Sequence, residues 1–213
     1  MALSASLSRG HLGWGRNLRA EHWVSRPDRV ETAARCAAEP GGRQRLAFGC
    51  GRSYGDVALN PGGTLIETGR LDRFIGFDAQ TGILEAEAGL RLADILAVLA
   101  RPEADGAGWF LPVTPGTRFV TLGGAVANDV HGKNHHRMGS FGRHVVSLEL
   151  ARSDGSVLTC SPEENPELFA ATIGGLGLTG LILRVRLRMM RVAGLAMEAE
   201  ELRFGSLAEY FAL

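Results

Sequence analysis

Apolar and polar positions along the chain follow a helical period in some stretches and a strand period in others. Residues 25–39 ("SRPDRVETAARCAAE") predict a helix, with Ser25 as its N-cap and Pro27 near its first turn. Its apolar residues share one helical face: Val30, Ala33, Ala34 and Ala37. We therefore expect this helix to pack one side against a core.

Short strand-like runs dominate the residues that follow. "RLAF" (45–48) and "TLIET" (64–68) predict two strands, and residues 73–78 and 82–89 predict a strand pair joined by "AQTG". Residues 91–100 ("RLADILAVLA") then predict a helix. This alternation of strands and helices indicates a small α+β subdomain.

A long stretch with little periodicity lies at residues 110–142. It is rich in proline and glycine, and only "LGGAVAN" (122–128) predicts a short helix. A loop of this length inside a compact chain is usually functional. We therefore expect the chemistry of the protein to lie here.

Antiparallel structure is predicted after this loop. Asp154-Gly155 separates two apolar runs, which is typical of a β-hairpin. Residues 165–173 predict a helix with Asn165 as a cap and Pro166 at its first position, and residues 174–190 lead into a long alternating strand.

The end of the sequence predicts one more strand and one more helix. Residues 196–204 alternate like a strand, and Ser206 is placed to cap a short helix at 207–213. The expected fold class is α+β with two subdomains. The expected units are an N-terminal arm at 1–12, a first subdomain at 13–100, a second at 101–192 and the start of a further domain at 193–213.

Bulk composition excludes several classes of protein. Apolar residues make up 45% and charged residues 22% of the chain, which is typical of a soluble globular protein. Lys+Arg and Asp+Glu both total 23, so no bulk attraction to nucleic acid or an anionic membrane is expected. Three scattered cysteines, no signal-peptide core and no membrane-spanning apolar run favour a cytoplasmic protein with reduced thiols.

The glycine-rich loop "GCGRSYG" (49–55) resembles the dinucleotide fingerprint GxGxxG but does not match it. Tyr54 stands at the third glycine position, and Pro61 prevents the continuous helix that a Rossmann loop must open. The glycines can still turn backbone N–H groups inward as an anion-binding nest, with Ser53 adding a hydroxyl. An ordinary turn between strands remains the alternative.

A second glycine loop, "PGTRFVTLGGAVANDVHG" (115–132), favours a ligand. It holds Gly116, Thr117, Thr121, Gly123 and Gly124, and glycine pairs allow the backbone to approach a ligand closely. The two loops lie about 65 residues apart in sequence and are expected to come from different sheets. This arrangement suits a long cofactor with a pyrophosphate in its middle.

The ordered motifs "GWGR", "GCGRSYGD", "EAGLRLADIL", "PGTRFVTLGGAVANDVHGKNHHRMGSFG" and "GGLGLTGLI" resemble the FAD-binding domain of the vanillyl-alcohol-oxidase-type flavoproteins. The resemblance covers about residues 13–190. It implies a two-subdomain fold that binds FAD. The residues it implies as FAD-binding are Gly49, Cys50, Gly51, Arg52, Ser53, Tyr54, Gly55, Asp56, Gly116, Thr117, Thr121, Leu122, Gly123, Gly124, Asn128, Asp129, Val130, His131, Gly132 and Ile182.

Four of the six histidines lie between His131 and His144. A metal site is disfavoured, because the nearby glycines argue against a helix that would align His131 with His135, and no cysteine pair or HExxH motif accompanies them. A serine triad is disfavoured because GxSxG is absent. We interpret the cluster as one wall of a flavin pocket.

Two residues of this wall are candidates for chemistry. His131 directly follows "GGAVANDV" and is expected beside the isoalloxazine ring, and Lys133 is a candidate for contact with a substrate anion or for stabilising reduced flavin. "SFG" (140–142) is expected to fix the shape of the loop. The resemblance places further substrate residues, including a catalytic lysine, after residue 213.

The function implied by the resemblance is oxidation of an alcohol carbon of a sugar or sugar-lipid, by hydride transfer to FAD. The alternatives are an aldonolactone or alditol oxidase, and a non-catalytic FAD-binding subunit or fragment that needs a partner chain. Many such flavoproteins link FAD to a histidine in the first glycine loop. Arg52 stands at that position here, so non-covalent FAD is expected, and the 213 residues alone are expected to be catalytically incomplete.

Overall fold

The computed structural model describes residues 5–39, 42–104 and 106–213. Within these residues the strands form a four-stranded sheet of order β1-β2-β4-β3, a five-stranded sheet of order β5-β6-β10-β8-β9, and a pair β11-β7. The fold is therefore α+β, as predicted from the alternation of strands and helices.

The strands are β1 (Ser6–Ser8), β2 (His22–Ser25), β3 (Arg45–Phe48), β4 (Thr64–Glu67), β5 (Phe74–Asp78), β6 (Ile83–Glu87), β7 (Gly108–Phe110), β8 (Val145–Ala151), β9 (Val157–Cys160), β10 (Leu181–Arg188) and β11 (Met190–Val192). The helices are α1 (Val30–Ala38), α2 (Leu92–Leu99), α3 (Leu122–Ala127), α4 (His135–Met138), α5 (Pro166–Thr172) and α6 (Leu207–Ala212). A 3₁₀ turn spans Phe141–His144.

Helix α1 packs between the two larger sheets. Its buried residues Val30, Ala33, Cys36 and Ala37 share a core cluster with residues of β4, β8 and β10. The prediction that Ser25 caps this helix is wrong, because Ser25 ends β2, and Arg29 occupies the N-cap position without a side-chain cap. The physical reason is the following Pro27, which disfavours helical backbone at residue 26.

The five-stranded sheet is antiparallel, and β10 lies at its centre. Strand β10 pairs with β6 on one side and with β8 on the other. The predicted hairpins β5–β6 and β8–β9 are both confirmed, the second with Gly155 at φ +90° in its turn. This sheet takes strands from both sides of residue 100, because β5 and β6 precede that residue and β8, β9 and β10 follow it. The expected subdomain boundary at residue 100 stays a prediction.

Most of the hydrophobic core lies against the inner face of this sheet. One cluster joins β6, α2, α3, β8 and β10, and it includes the fully buried Leu84, Ile95, Leu122 and Leu150. Removing apolar surface of this kind from water contributes about 1.5–3 kcal/mol for each leucine or isoleucine side chain. The core therefore fixes α3 on the sheet, and α3 in turn carries the second glycine loop.

Outside this core, one predicted strand is absent and four short strands were not predicted. Residues 196–204 form no strand, because they pair with no other strand among the residues that the structure describes. The short strands β1, β2, β7 and β11 were not predicted. The cap at Ser206 is confirmed, with Ser206 Oγ accepting a hydrogen bond from the Glu209 N–H.

Asn165 occupies the N-cap position of α5, and Pro166 is the first residue of the helix, as predicted. The Asn165 side chain does not cap the helix, however. Its Nδ2 donates to the Thr159 carbonyl at 2.7 Å, which ties the start of α5 to β9.

Among the described residues, no helix has the length and apolar character needed to cross a membrane.

Candidate functional site

A cleft of about 1320 Å³ opens between the loop after β3 and the helix α3. Its walls combine segments that are far apart in sequence: residues 49–54, 114–117, 128–135, 176–177, 180–182 and 194–197, with Met190 and Val192. This volume exceeds the roughly 300–1,000 Å³ of a typical small-molecule pocket. The cleft can therefore hold a large, extended ligand.

The first glycine loop leaves β3 and turns sharply beside the N-terminal arm. Gly51 has φ +61°, and a Cβ atom on it would lie 2.5 Å from the Leu12 carbonyl oxygen. The Trp14 N–H donates to the Ser53 carbonyl at 3.1 Å, and Trp14 also lines the cleft. Residues 12–14 and the loop thus form one packed unit, in which position 51 requires glycine.

The second glycine loop is held on the five-stranded sheet side. The Leu122 and Gly123 N–H groups donate to the carbonyls of Leu90 and Ala88 at 2.8 and 2.7 Å. Thr121 is the N-cap of α3, and its Oγ1 accepts a hydrogen bond from the Gly124 N–H at 3.1 Å. These bonds fix the start of α3 at the cleft wall.

The two glycine loops touch each other, although they come from different sheets. A Cβ atom on Gly49 would lie 2.5 Å from Thr121 Oγ1, so only glycine allows the loops to approach this closely. The Ser53 hydroxyl donates to Asn128 Oδ1 at 3.4 Å, and Asn128 Nδ2 donates to the Gly124 carbonyl at 2.8 Å. The expectation of two loops from different sheets is confirmed.

The histidine-rich segment contains the one-turn helix α4, which begins at His135 and does not include His131, so no helix aligns these two histidines, as expected. Gly132 and Gly139 flank this turn instead of interrupting it. The rings of His131 and His135 lie 5.4 Å apart at their centroids in an edge-on arrangement. Asn134 Nδ2 donates to the Pro112 carbonyl at 3.0 Å, which anchors the turn to the opposite side of the loop.

The histidines of the segment differ in their surroundings. His131 and His135 line the cleft together with Lys133, whereas the ring of His144 contacts the Met138 carbonyl at 3.0 Å. Within residues 5–39, 42–104 and 106–213, no three His, Cys, Asp or Glu side chains form a group that could hold a metal ion. The cleft wall therefore carries two imidazoles and one ammonium group.

Most of the residues singled out from the sequence line this cleft. The exceptions are Gly55, Asp56 and Leu122, of which Leu122 is fully buried in the core. Reasoning from motifs missed several lining residues, because no glycine or polar motif marks them. These are Ala47, Val57, Ala58, Thr68, Phe110, Leu176, Met190, Val192, Leu195 and Met197.

Cations predominate among the charged side chains that line the cleft. Arg52 and Lys133 carry positive charge there, and Asp129 carries negative charge. The Asp129 carboxylate accepts a hydrogen bond from the Gly142 N–H at 2.8 Å. Burial raises the pKa of the Cys50 thiol, and Arg91 and Arg52 offset this only in part. The cleft thus favours an anionic ligand and contains a thiol that is a weak nucleophile at neutral pH.

Residues 21–161 match the family described as the FAD binding domain, and the chain belongs to this family of flavin-binding proteins. The class of protein predicted from the glycine loops and the histidine segment is therefore confirmed, with FAD as the cofactor.

Particular relatives agree with this class. The chain is 46% identical over 182 residues to decaprenylphosphoryl-beta-D-ribose oxidase of Mycolicibacterium smegmatis, covering 84% of this chain and 38% of that protein. It is 33% identical over 142 residues to L-gulonolactone oxidase of Mus musculus, covering 66% of this chain and 30% of the relative. A putative D-arabinono-1,4-lactone oxidase of Neurospora crassa is 29% identical over 154 residues, or 72% of this chain and 26% of the relative. The chain thus spans about two fifths or less of these relatives.

The cleft fits FAD on observations of its own. Its volume accommodates an extended dinucleotide. Where Gly49 approaches Thr121, the first loop has no side chain between its backbone and the cleft. Backbone of this kind can come close to a pyrophosphate without steric hindrance. The surrounding apolar residues suit flat rings.

Proposed function

We propose that the chain is the FAD-binding part of an oxidoreductase that oxidises an alcohol carbon of a sugar or sugar-lipid. The observation that carries this proposal is the single cleft wall that joins the two glycine loops to His131 and Lys133. FAD, when bound, supplies the hydride acceptor. The chain supplies binding, orientation and electrostatics.

The proposed binding residues divide into two groups along the cleft. Gly49 to Tyr54 and Gly116 to Gly124 would hold the pyrophosphate between the loops, supported by the contact of Gly49 with Thr121. Asn128 to Gly132 would lie along the flavin, and Ile182 would line the slot. The hydrogen bond between Ser53 and Asn128 supports this order, because it joins the two groups.

His131 and Lys133 are the proposed groups for proton handling and charge. An alcohol whose carbon gives up a hydride must also give its hydroxyl proton to a base, and an imidazole ring can accept that proton. The edge-on contact with His135 holds the His131 ring in place, and the anchor of Asn134 on Pro112 orients the adjacent Lys133 backbone. Lys133 would then stabilise negative charge on the substrate or the reduced cofactor.

The test of the proposal is direct FAD binding. The purified protein is expected to be yellow, with absorption bands at about 375 and 450 nm, as flavins in protein sites show. FAD added to flavin-free protein should raise its melting temperature by mass action. A colourless protein whose melting temperature does not change when FAD is added would refute the proposal.

A second substrate class is supported by the relatives. Two of the three described above are named as lactone oxidases, and one as an oxidase of a polyprenyl-phosphate ribose. We therefore propose aldonolactones as the alternative substrates. A third proposal is that the chain binds FAD and acts only together with a partner chain that supplies the substrate site.

A further inference from the structure

The loop between α5 and β10 lines one side of the cleft and uses left-handed backbone at several positions. Gly174 and Gly177 have φ of +70° and +78°, which glycine adopts freely. Leu176 lies between them and also has a positive φ, +54°. Leucine disfavours this conformation, because its Cβ atom comes too close to the following carbonyl oxygen.

Hydrogen bonds to α3 fix the shape of this loop. The Gly174 N–H donates to the Val126 carbonyl at 3.1 Å, and the Leu176 N–H donates to the Ala127 carbonyl at 2.8 Å. These carbonyls lie at the C-terminal end of α3, where helical carbonyls lack partners inside the helix. Glycine or asparagine at position 176 would make the same bond with less strain. The backbone alone therefore does not explain the leucine.

The Leu176 side chain is not buried by the protein. It is 40% exposed and lines the cleft, as do the nearby apolar residues Ala47, Ala127 and Ile182. Full burial is what normally stabilises a leucine in a folded chain. Strained residues of this kind concentrate at ligand clamps, where a bound ligand completes their surroundings.

We propose that Leu176 is a cofactor-contact residue, whose strained backbone holds the leucyl side chain against a flat ring of bound FAD. The contact would complete the burial that the protein leaves unfinished. Adenine and isoalloxazine both offer a planar ring face, so the chemistry of the contact is the same for either. The inference rests on FAD occupying this cleft, as proposed above.

The test compares Leu176→Asn with two matched variants. Asparagine tolerates left-handed backbone, so the flavin-free L176N protein should melt at the same temperature as the wild type or higher. Its Kd for FAD should rise about tenfold, the loss expected when part of a leucine burial is removed. Leu176→Met keeps an apolar side chain and should hold the Kd within about twofold of wild type. Leu178→Asn changes a leucine two positions away that is 81% exposed and does not line the cleft, and neither quantity should change.

Titration with ADP and with riboflavin identifies the ring. A loss of affinity in L176N for one of the two alone supports contact with that ring, and contact with isoalloxazine should also shift the visible absorption bands. Equal loss for both, or loss for neither, overturns the inference. So does a fall in the melting temperature of flavin-free L176N, because the role would then be structural.

The outcomes separate this inference from the proposed function. If the wild-type chain binds no FAD, the proposed function fails. If wild type binds FAD and L176N binds it equally well, only the role of Leu176 fails.

Discussion

At the residue scale, His22 links the stability of the N-terminal region to pH. The residue is fully buried in β2, and its ring centroid lies 6.4 Å from that of His11. Burial lowers the pKa of His22 below its usual 6.5, and repulsion from His11 lowers this pKa further. Since the folded state disfavours protonation of His22, its contribution to stability is complete above the unfolded pKa and is lost as pH falls.

We therefore expect the free energy of unfolding to decrease between about pH 7.5 and pH 5.5, partly through His22. His22→Leu should show a flatter dependence in urea unfolding at these pH values. The exposed His136→Gln is the control and should keep the wild-type slope. An unchanged slope in H22L would show that other groups cause the whole effect.

The attachment of FAD is a second prediction at this scale. Arg52 stands where the resemblance to the flavoproteins implies a flavin-linked histidine, and its guanidinium is not a nucleophile. Burial raises the pKa of the nearby Cys50 thiol, so little thiolate is present. Acid precipitation of the loaded protein should therefore leave all flavin in the supernatant. Flavin fluorescence on the denatured polypeptide after electrophoresis would contradict non-covalent binding.

At the scale of elements, the N-cap residue of α3, Thr121, contributes both to the stability of the fold and to the shape of the cleft. Thr121→Val keeps the shape of the side chain but removes the hydrogen bond that the Gly124 N–H donates to Thr121 Oγ1. Loss of such a cap costs about 1 kcal/mol. We expect T121V to lower the free energy of unfolding by this amount and to weaken FAD binding, because Thr121 also touches Gly49.

The matched control is Ser206→Ala, which removes the same type of cap from α6. Helix α6 has no buried residue, so its fraying should leave the main urea transition and the Kd for FAD unchanged. Equal effects of the two variants would mean that T121V acts through general helix capping and not through the cleft.

Elements that face the core on one side were predictable from the sequence. The hairpins β5–β6 and β8–β9 each join two apolar runs through turn residues, and the apolar residues of α2 recur at helical spacing. Residues 196–204 alternate too, yet form no strand, since alternation cannot show whether a partner strand exists. The glycine loops were predictable from their composition. The left-handed backbone of Leu176 was not, because leucine rarely adopts it and no sequence pattern marks it.

At the scale of the whole molecule, the expectation that these residues alone do not turn over substrate stays a prediction. Residues 196–213 are exposed, and a flavin in an open cleft would be accessible to water, which disfavours hydride transfer. The FAD-loaded chain is therefore expected to show no bleaching under anaerobic conditions with polyols, aldonolactones or polyprenyl-phosphate sugars. Bleaching by one of them would identify the substrate class and show that the wall at 131–135 is sufficient.

The central place of β10 in the five-stranded sheet has a consequence for biosynthesis. Strand β10 pairs Arg184 with Glu87, almost a hundred positions earlier, and it also contacts α1 and α3. Both glycine loops are therefore synthesised before β10, the strand that contacts α1 and α3. Until β10 emerges, β5–β6 and β8–β9 can exist only as separate hairpins, which are marginally stable in water. We therefore expect FAD to be captured only after β10 has been synthesised, and a nascent polypeptide stalled before residue 181 should fail to retain FAD.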